Sequence, residues 1–132
     1  MTTTIARVFL VLNGLVLAAY GIYCTFNPMI LAEYTNMGLD SGTAVTEVRA
    51  MYGGLQFTVG LYFLLCGLRK HMTANGLLVS LFVFAGLAGA RAYGLTVDGE
   101  DNGYNFSAVI YETVCGLLSV IFLRLISKQA DS

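Results

Sequence analysis

Charged residues are scarce in this sequence, and their scarcity excludes several classes of protein. Lys and Arg number 7 and Asp and Glu number 8 among 132 residues, which is 11%, whereas hydrophobic residues make up 57%. Water-soluble domains usually carry about a quarter charged residues. So few charges could not cover the surface of a soluble domain, but a lipid bilayer removes that need. The net charge of −1 provides no basic field, so no nucleic-acid partner is expected.

Residues that bind metals or form redox pairs are also sparse. Cys24, Cys66 and Cys115 lie far apart in apolar segments, and the single histidine, His71, lies in a basic turn. No Cys-x-x-Cys pair and no Cys/His spacing typical of a metal site occurs. We therefore expect buried free thiols that pack as small hydrophobic groups. No metal, no cofactor and no catalytic residue is predicted.

Long apolar stretches dominate the sequence instead. About 20 apolar residues are enough for a helix to cross the roughly 30 Å hydrocarbon core of a bilayer. Stretches of about that length cover residues 8–26, 45–68, 73–93 and 106–126. The predicted fold is an all-α membrane protein, a four-transmembrane-helix bundle forming a single domain over residues 1–132. Four buried helices of a soluble domain are the alternative, which the composition disfavours.

The first apolar stretch also resembles a signal peptide, because Arg7 precedes it. The small-x-small pattern of a cleavage site is poor there, so we expect the segment to be retained as a membrane span.

The charged residues of the segments that connect the spans indicate the orientation of the protein in the membrane. One side carries Arg7, Arg69, Lys70, His71, Arg124 and Lys128, and the other carries Glu33, Asp40, Asp98, Glu100 and Asp101. The positive-inside rule predicts a multi-pass membrane protein with both termini cytoplasmic and the acidic loops facing the periplasm or the cell exterior.

A short helix is predicted in the first outer loop. Asn27 and Pro28 are typical of a helix start, and apolar residues then recur at helical spacing until Gly38, a plausible stop. We expect this helix to lie in the outer interface or to cover the bundle as a lid. Thr43 is the predicted cap of the second span.

Ionisable residues inside membrane spans are strong indicators of function. Arg49 lies about one turn into the second span, Arg91 lies near the outer end of the third, and Glu112 lies roughly 9 Å into the fourth. Three interpretations stay open. In the first, the charged residues form a structural network in which Glu112 pairs with Arg49 or Arg91. In the second, they form a pocket that holds an anionic or carbonyl-bearing ligand. In the third, Glu112 serves in a proton relay. The predicted ligand-binding or structural cluster contains Glu47, Arg49, Tyr52, Gln56, Arg91 and Glu112.

Small residues mark the faces on which helices are expected to pack. Glycines spaced by seven in the second span let another helix approach closely, and they share a helical face with Arg49 and Gln56. Gly14 and Gly21 in the first span could serve a helix of another protein. The predicted packing residues are Gly53, Gly60, Gly67, Gly86, Gly89 and Gly116.

A combination of motifs resembles a known family. The chain has Glu-Val-Arg-Ala-Met-Tyr-Gly-Gly at 47–54, Arg-Ala-Tyr-Gly-Leu at 91–95 followed by Asp98-Gly99, and Tyr111-Glu112 in the last span. This pattern resembles an uncharacterised family of small bacterial four-span membrane proteins, a domain of unknown function, and loosely the DoxX-like group. The resemblance covers the second to fourth spans; the first matches only in length and hydropathy. It implies the same site residues and a location in the bacterial inner (plasma) membrane, but no activity.

Three classes of function follow from these features. The favoured one is a non-enzymatic membrane protein that binds a lipid-like ligand, or an accessory subunit of a larger membrane complex. Membrane lipids, such a complex or a homo-oligomer are the expected partners. A small transporter or channel is the first alternative, although no continuous polar path leads inward from the cluster. A membrane-embedded enzyme is the second; it is disfavoured because His71 lies on the side opposite the cluster.

Overall fold

The chain is almost entirely helical. The computed structural model describes residues 2–99 and 103–130, with side chains through residue 128, so the predicted outer-loop acids Glu100 and Asp101 lie outside the described residues. In the described ranges the chain contains no strand and has 4 helical segments long and apolar enough to cross a membrane. This confirms the predicted all-α four-helix membrane fold.

Five α-helices contribute to these segments, a sixth, α2, lies in the first loop, and the second span is composite. It consists of α3, a π-helical segment over Arg49–Leu55, and α4. A 3₁₀ turn over Lys70–Met72 joins it to the third span. The helices are α1 Thr2–Phe26, α2 Met29–Thr35, α3 Gly42–Val48, α4 Gln56–Leu68, α5 Thr73–Val97 and α6 Tyr104–Ala130.

The first loop contains the predicted short helix, α2, but its boundaries differ from those expected. It ends at Thr35 because Asn36 adopts a left-handed conformation, with φ of 55°, which asparagine tolerates better than most residues. The predicted stop, Gly38, therefore lies beyond the helix.

The predicted N-terminal cap of the second span, Thr43, is also wrong. Ser41 caps the second span, because its Oγ accepts a hydrogen bond from the backbone N–H of Ala44 at 3.1 Å.

The helices form two closely packed pairs, α1 with the second span and α5 with α6. Glycines of the second span lie directly against the backbone of α1. A Cβ on Gly60 would lie 2.5 Å from the nitrogen of Ala18, and one on Gly67 would lie 2.9 Å from the carbonyl oxygen of Arg7. Gly53 likewise faces Thr25. The seven-residue spacing therefore lies on the face that packs against the first span.

Two other sets of glycines differ from the prediction. Gly21 lies inside the molecule, since a Cβ there would lie 2.5 Å from the nitrogen of Phe57, and Gly14 similarly contacts α4. This pair therefore serves an internal interface, where a helix of another protein was expected. Gly86 and Gly89 have no atom within 4 Å of a Cβ built on them, so within the described chain they pack against no helix. Gly116 has only an ordinary contact, 3.9 Å from the nitrogen of Ala85.

The two helix pairs meet toward one end of the bundle. We call this the basic end, because Arg7, Arg69 and Lys70 lie there; the opposite end is the acidic end. Arg7 donates to the carbonyl oxygens of residues 67 and 68 at 2.8 and 3.0 Å. The rings of Phe63 and Phe84 lie 6.2 Å apart between α4 and α5. Between this contact and the acidic end, α4 and α5 separate and leave a cleft.

Polar side chains inside the bundle also connect the helices. Ser80 and Ser119 are fully buried and share a hydrogen bond of 2.9 Å between α5 and α6. The hydroxyl of Tyr111 donates to Oδ1 of Asn13 at 2.6 Å and so links α6 to α1. These contacts fix the positions of the helices around the cleft.

Candidate functional site

The cleft lies between the second span and α5, and one residue of α1 also lines it. Its volume is about 540 Å³, within the range of roughly 300–1,000 Å³ typical of small-molecule sites. Its walls are apolar except for Tyr52, Gln56 and Arg91. The lining residues are Leu17, Met51, Tyr52, Leu55, Gln56, Val59, Val83, Gly86, Leu87 and Arg91.

The three polar side chains lie toward the same end of the cleft. Tyr52 lies in the half of the second span nearer the acidic end, Gln56 lies at the middle of that span, and Arg91 lies two turns closer to the acidic end than Val83. The deeper walls, toward the basic end, include Val59 and Val83. The polar groups therefore lie between the middle of the cleft and its acidic end, and the walls toward the basic end are apolar.

The π-helical segment over Arg49–Leu55 shapes one wall. It presents Met51, Tyr52 and Leu55 to the cleft, while Gly53 in the same segment faces α1. Segments of this kind are rare and frequently occur at functional sites. The regular helical stripe predicted from the sequence placed Gln56 on the packing face with the glycines. In the structure Gln56 lines the cleft instead.

Arg91 is held by a set of specific contacts. Its Nε donates to Oε1 of Glu112 at 2.9 Å, and its Nη1 donates to Oδ1 of Asn105 at 2.7 Å. The guanidinium also lies 5.7 Å from the centre of the Tyr104 ring, within cation–π range. Of the two partners considered for Glu112, the structure therefore pairs it with Arg91.

Glu112 is deeply buried, with 4% of its surface exposed. Its second carboxylate oxygen, Oε2, is buried and has no hydrogen-bond partner among the described residues. Leaving a buried polar atom unpaired costs about 1–3 kcal/mol. Most buried polar side-chain atoms have a hydrogen-bond partner, so Oε2 keeps an open acceptor position beside Arg91.

Tyr52 and Gln56 are half-buried at the polar end of the cleft. Within the described part of the chain, neither the Tyr52 hydroxyl nor the Gln56 amide has a hydrogen-bond partner. Both groups can donate and accept hydrogen bonds. They are available to a molecule that enters the cleft.

Glu47 and Arg49 lie outside this arrangement. Arg49 is exposed, and its Nη1 donates to the carbonyl oxygen of Thr25, close to the end of α1, where the helix dipole favours a cation. Arg49 also lines a separate hollow of about 410 Å³ that includes Glu33. Glu47 is exposed, and no described residue forms an ion pair with it. The six predicted residues are thus divided between the cleft and the surface near the loop helix.

The chain matches a protein-family model over most of its length. The family model described as Domain of unknown function (DUF4345) matches residues 5–123. The chain belongs to this DUF4345 family. The match includes the first span, which the motif resemblance did not cover. Neither the curated proteins nor the solved structures provide a match. The function of this DUF4345 protein must therefore be argued from its site.

Several residues of the DUF4345 site were not predicted from the sequence. Asn105 and Tyr104 both contact Arg91, and Thr25 binds Arg49 through its backbone. Asn105 precedes Glu112 by seven residues, and that spacing places both on one face of α6. This spacing is the signal that could have identified Asn105. A backbone carbonyl such as that of Thr25 has no sequence signal. In the described ranges no group of His, Cys, Asp and Glu could hold a metal ion.

Proposed function

We propose that this protein is a non-enzymatic membrane protein that binds a lipid-like amphiphile in the cleft between its second and third spans. The observation that carries the proposal is the amphipathic cleft itself. Apolar walls border an open space of about 540 Å³, and Tyr52, Gln56 and Arg91 lie between its middle and its acidic end. An amphiphile with an apolar tail and a polar head matches both the walls and the polar end.

The polar end explains how one amphiphile would be selected among many. Apolar contacts alone distinguish poorly between a ligand tail and the surrounding lipid tails, because both are equally apolar. An unsatisfied polar group costs several kcal/mol in hydrocarbon. A ligand head that bonds to the Tyr52 hydroxyl and the Gln56 amide removes that cost. Selectivity therefore depends on the head group.

The rim of the cleft supports entry from the bilayer. Met51 and Leu55 are 52% and 50% exposed, and Leu87 on the opposite wall is 37% exposed. Apolar side chains that remain exposed on a membrane helix face lipid without penalty. An amphiphile can reach the cleft laterally and does not need to cross the water phase.

We further propose the location predicted from the sequence, the bacterial inner membrane with both termini cytoplasmic. The charge distribution between the basic and acidic ends supports it. In that orientation the polar end of the cleft lies in the outer leaflet. Bacterial origin and the looser kinship with the DoxX-like group belong to the same proposal.

A role as an accessory subunit or homo-oligomer is the second candidate. Gly86 and Gly89 offer an uncovered surface on α5 that would allow close approach of a helix from another protein. A transporter or channel has less support. The interior pairs Ser80–Ser119 and Asn13–Tyr111 bond to each other, so they do not supply a polar path.

Two matched variants test the binding proposal. Gly86 lines the cleft, whereas Gly89 lies one turn further along α5 and does not, and both have open space around them. We expect Gly86→Leu to fill the cleft. Native mass spectrometry of protein released from lipid nanodiscs should detect a defined bound mass on the wild type and on Gly89→Leu. Gly86→Leu should lack this mass. Equal loading of all three proteins, or an absence of any bound mass, would contradict the proposal.

A further inference from the structure

We infer that the amphiphile held in the cleft is uncharged and that its head presents carbonyl or hydroxyl oxygens. This inference rests on the proposed function and narrows it. The sequence left an anionic and a carbonyl-bearing ligand equally open. The distribution of charge and of hydrogen-bond donors around the cleft distinguishes between them.

The charge of the site is the first line of argument. Arg91 is the one charged residue among those that line the cleft, and Glu112 neutralises it across 2.9 Å. Arg49, which could have added a second positive charge, binds the Thr25 carbonyl and lines a different hollow. The cleft therefore offers no net positive charge. An anionic head would lose hydration there, and the carboxylate of Glu112 behind Arg91 would repel it.

The geometry of Arg91 is the second line of argument. Arginine recognises carboxylate and phosphate groups best through two parallel N–H bonds from one edge of the guanidinium. In Arg91 the Nε on one edge is bonded to Glu112, and the Nη1 on the other edge is bonded to Asn105. The edge formed by Nε and Nη2 has therefore lost one of its two donors to Glu112, and the edge formed by Nη1 and Nη2 shares Nη1 with Asn105. Nη2 can still donate to the carbonyl or hydroxyl oxygens of a neutral head.

The neutral donors are the third line of argument. The Tyr52 hydroxyl and the Gln56 amide line the same end of the cleft, and neither has a hydrogen-bond partner among the described residues. Neutral donors of this kind suit carbonyl and hydroxyl oxygens, which can be buried without transferring a charge out of water. Together with Nη2 of Arg91, they form a set of donors suited to an uncharged head.

The test compares two lipids that differ in the charged group alone. Dioleoylglycerol and dioleoyl phosphatidic acid are supplied at equal mole fraction in phosphatidylcholine nanodiscs, and bound lipid is counted by native mass spectrometry. We expect the wild type to retain dioleoylglycerol about tenfold more than phosphatidic acid, a difference of about 1.4 kcal/mol. Glu112→Gln keeps an oxygen to accept from Arg91 but removes the negative charge, so it should shift this preference toward phosphatidic acid. Glu33→Gln, which removes a charge from the other hollow, should leave the preference unchanged.

The outcomes separate the inference from the proposed function. Preferential binding of phosphatidic acid by the wild type, abolished in Gly86→Leu, would overturn the inference and leave the proposed function standing. Binding of neither lipid, or binding that Gly86→Leu does not reduce, would contradict the proposed function. If Glu112→Gln fails to fold, Gln56→Leu replaces it. That change removes a neutral donor without touching the ion pair, and it should reduce dioleoylglycerol retention. Unchanged retention in Gln56→Leu would count against the inference.

Discussion

At the scale of single residues, the interaction between Arg91 and Glu112 is central to the molecule. Glu112 is 4% exposed and lies about two turns into a membrane-spanning helix, where an isolated carboxylate would be costly. The cation of Arg91 at 2.9 Å compensates for this burial. Because Arg91 also lines the cleft, the pair contributes both to the packing of α5 against α6 and to the charge at the cleft wall.

Breaking this pair should destabilise the protein strongly. We expect Arg91→Ala and Glu112→Ala each to lower the free energy of unfolding in detergent by about 3–5 kcal/mol, because each leaves a buried charge without its partner. The double variant should lose less than the sum of the two. Thermal and denaturant unfolding of the single and double variants measures this coupling.

The matched control uses the other arginine of the predicted cluster. Arg49 binds the Thr25 carbonyl, so Arg49→Ala and Glu112→Ala should be additive within about 0.5 kcal/mol. Coupling of Glu112 to Arg49, together with additivity between Glu112 and Arg91, would contradict the pairing described here.

Arg91 and Glu112 could be identified from the sequence as candidate site residues, but their pairing with each other could not be predicted. Depth in the membrane identified both Arg91 and Glu112 as unusual, since few ionisable residues lie inside the spans. Arg49 and Arg91 lie at similar depths, so the sequence offered Glu112 two equivalent partners. The choice depends on the helix pairing, which joins α6 to α5 and leaves Arg49 beside the end of α1.

At the scale of helices, the second span connects the packing surface to the cleft. Its glycines contact α1 along a face with a seven-residue spacing, and its π-helical segment presents Tyr52 to the cleft. Small-residue spacing could be recognised in the sequence, because close helix approach requires it. No residue type encodes a π-helical turn, so the position of Gln56 on the cleft could not be predicted. A small residue allows another helix to approach closely but does not make one do so. Gly86 and Gly89 are examples, because no helix of the described chain packs against them.

A single methyl group should be enough to disturb the glycine interface. A Cβ on Gly60 would lie 2.5 Å from the nitrogen and 2.9 Å from the Cα of Ala18, both backbone atoms that cannot move aside. We expect Gly60→Ala to lower the free energy of unfolding by about 1–3 kcal/mol, the usual cost of overpacking. Gly89→Ala on α5 is the control, and it should leave stability unchanged or slightly raised, since open space surrounds it. Equal effects of the two changes would argue against the described α1–α4 contact.

At the scale of the whole molecule, α4 and α5 contact each other toward the basic end and separate toward the acidic end, whereas α1 and α6 stay linked through Asn13 and Tyr111. Hydropathy alone predicted the four spans, because each apolar stretch is long enough to cross a bilayer. The separation of α4 from α5 could not be predicted, since it depends on which helix faces find partners. The contact between Phe63 and Phe84 closes the cleft on one side. The open part of the cleft carries the proposed function.

Photo-crosslinking tests most directly whether an uncharged amphiphile occupies the cleft. The probe is a diacylglycerol with a diazirine on one acyl chain, incorporated into nanodiscs with the wild-type protein, and adducts are mapped by mass spectrometry of peptides. We predict adducts on the cleft walls at Met51, Leu55 and Leu87, which excess unmodified diacylglycerol displaces. Adducts confined to the lipid-facing side of α6, at Ile110 and Leu117, or adducts that the competitor does not displace, would contradict the account.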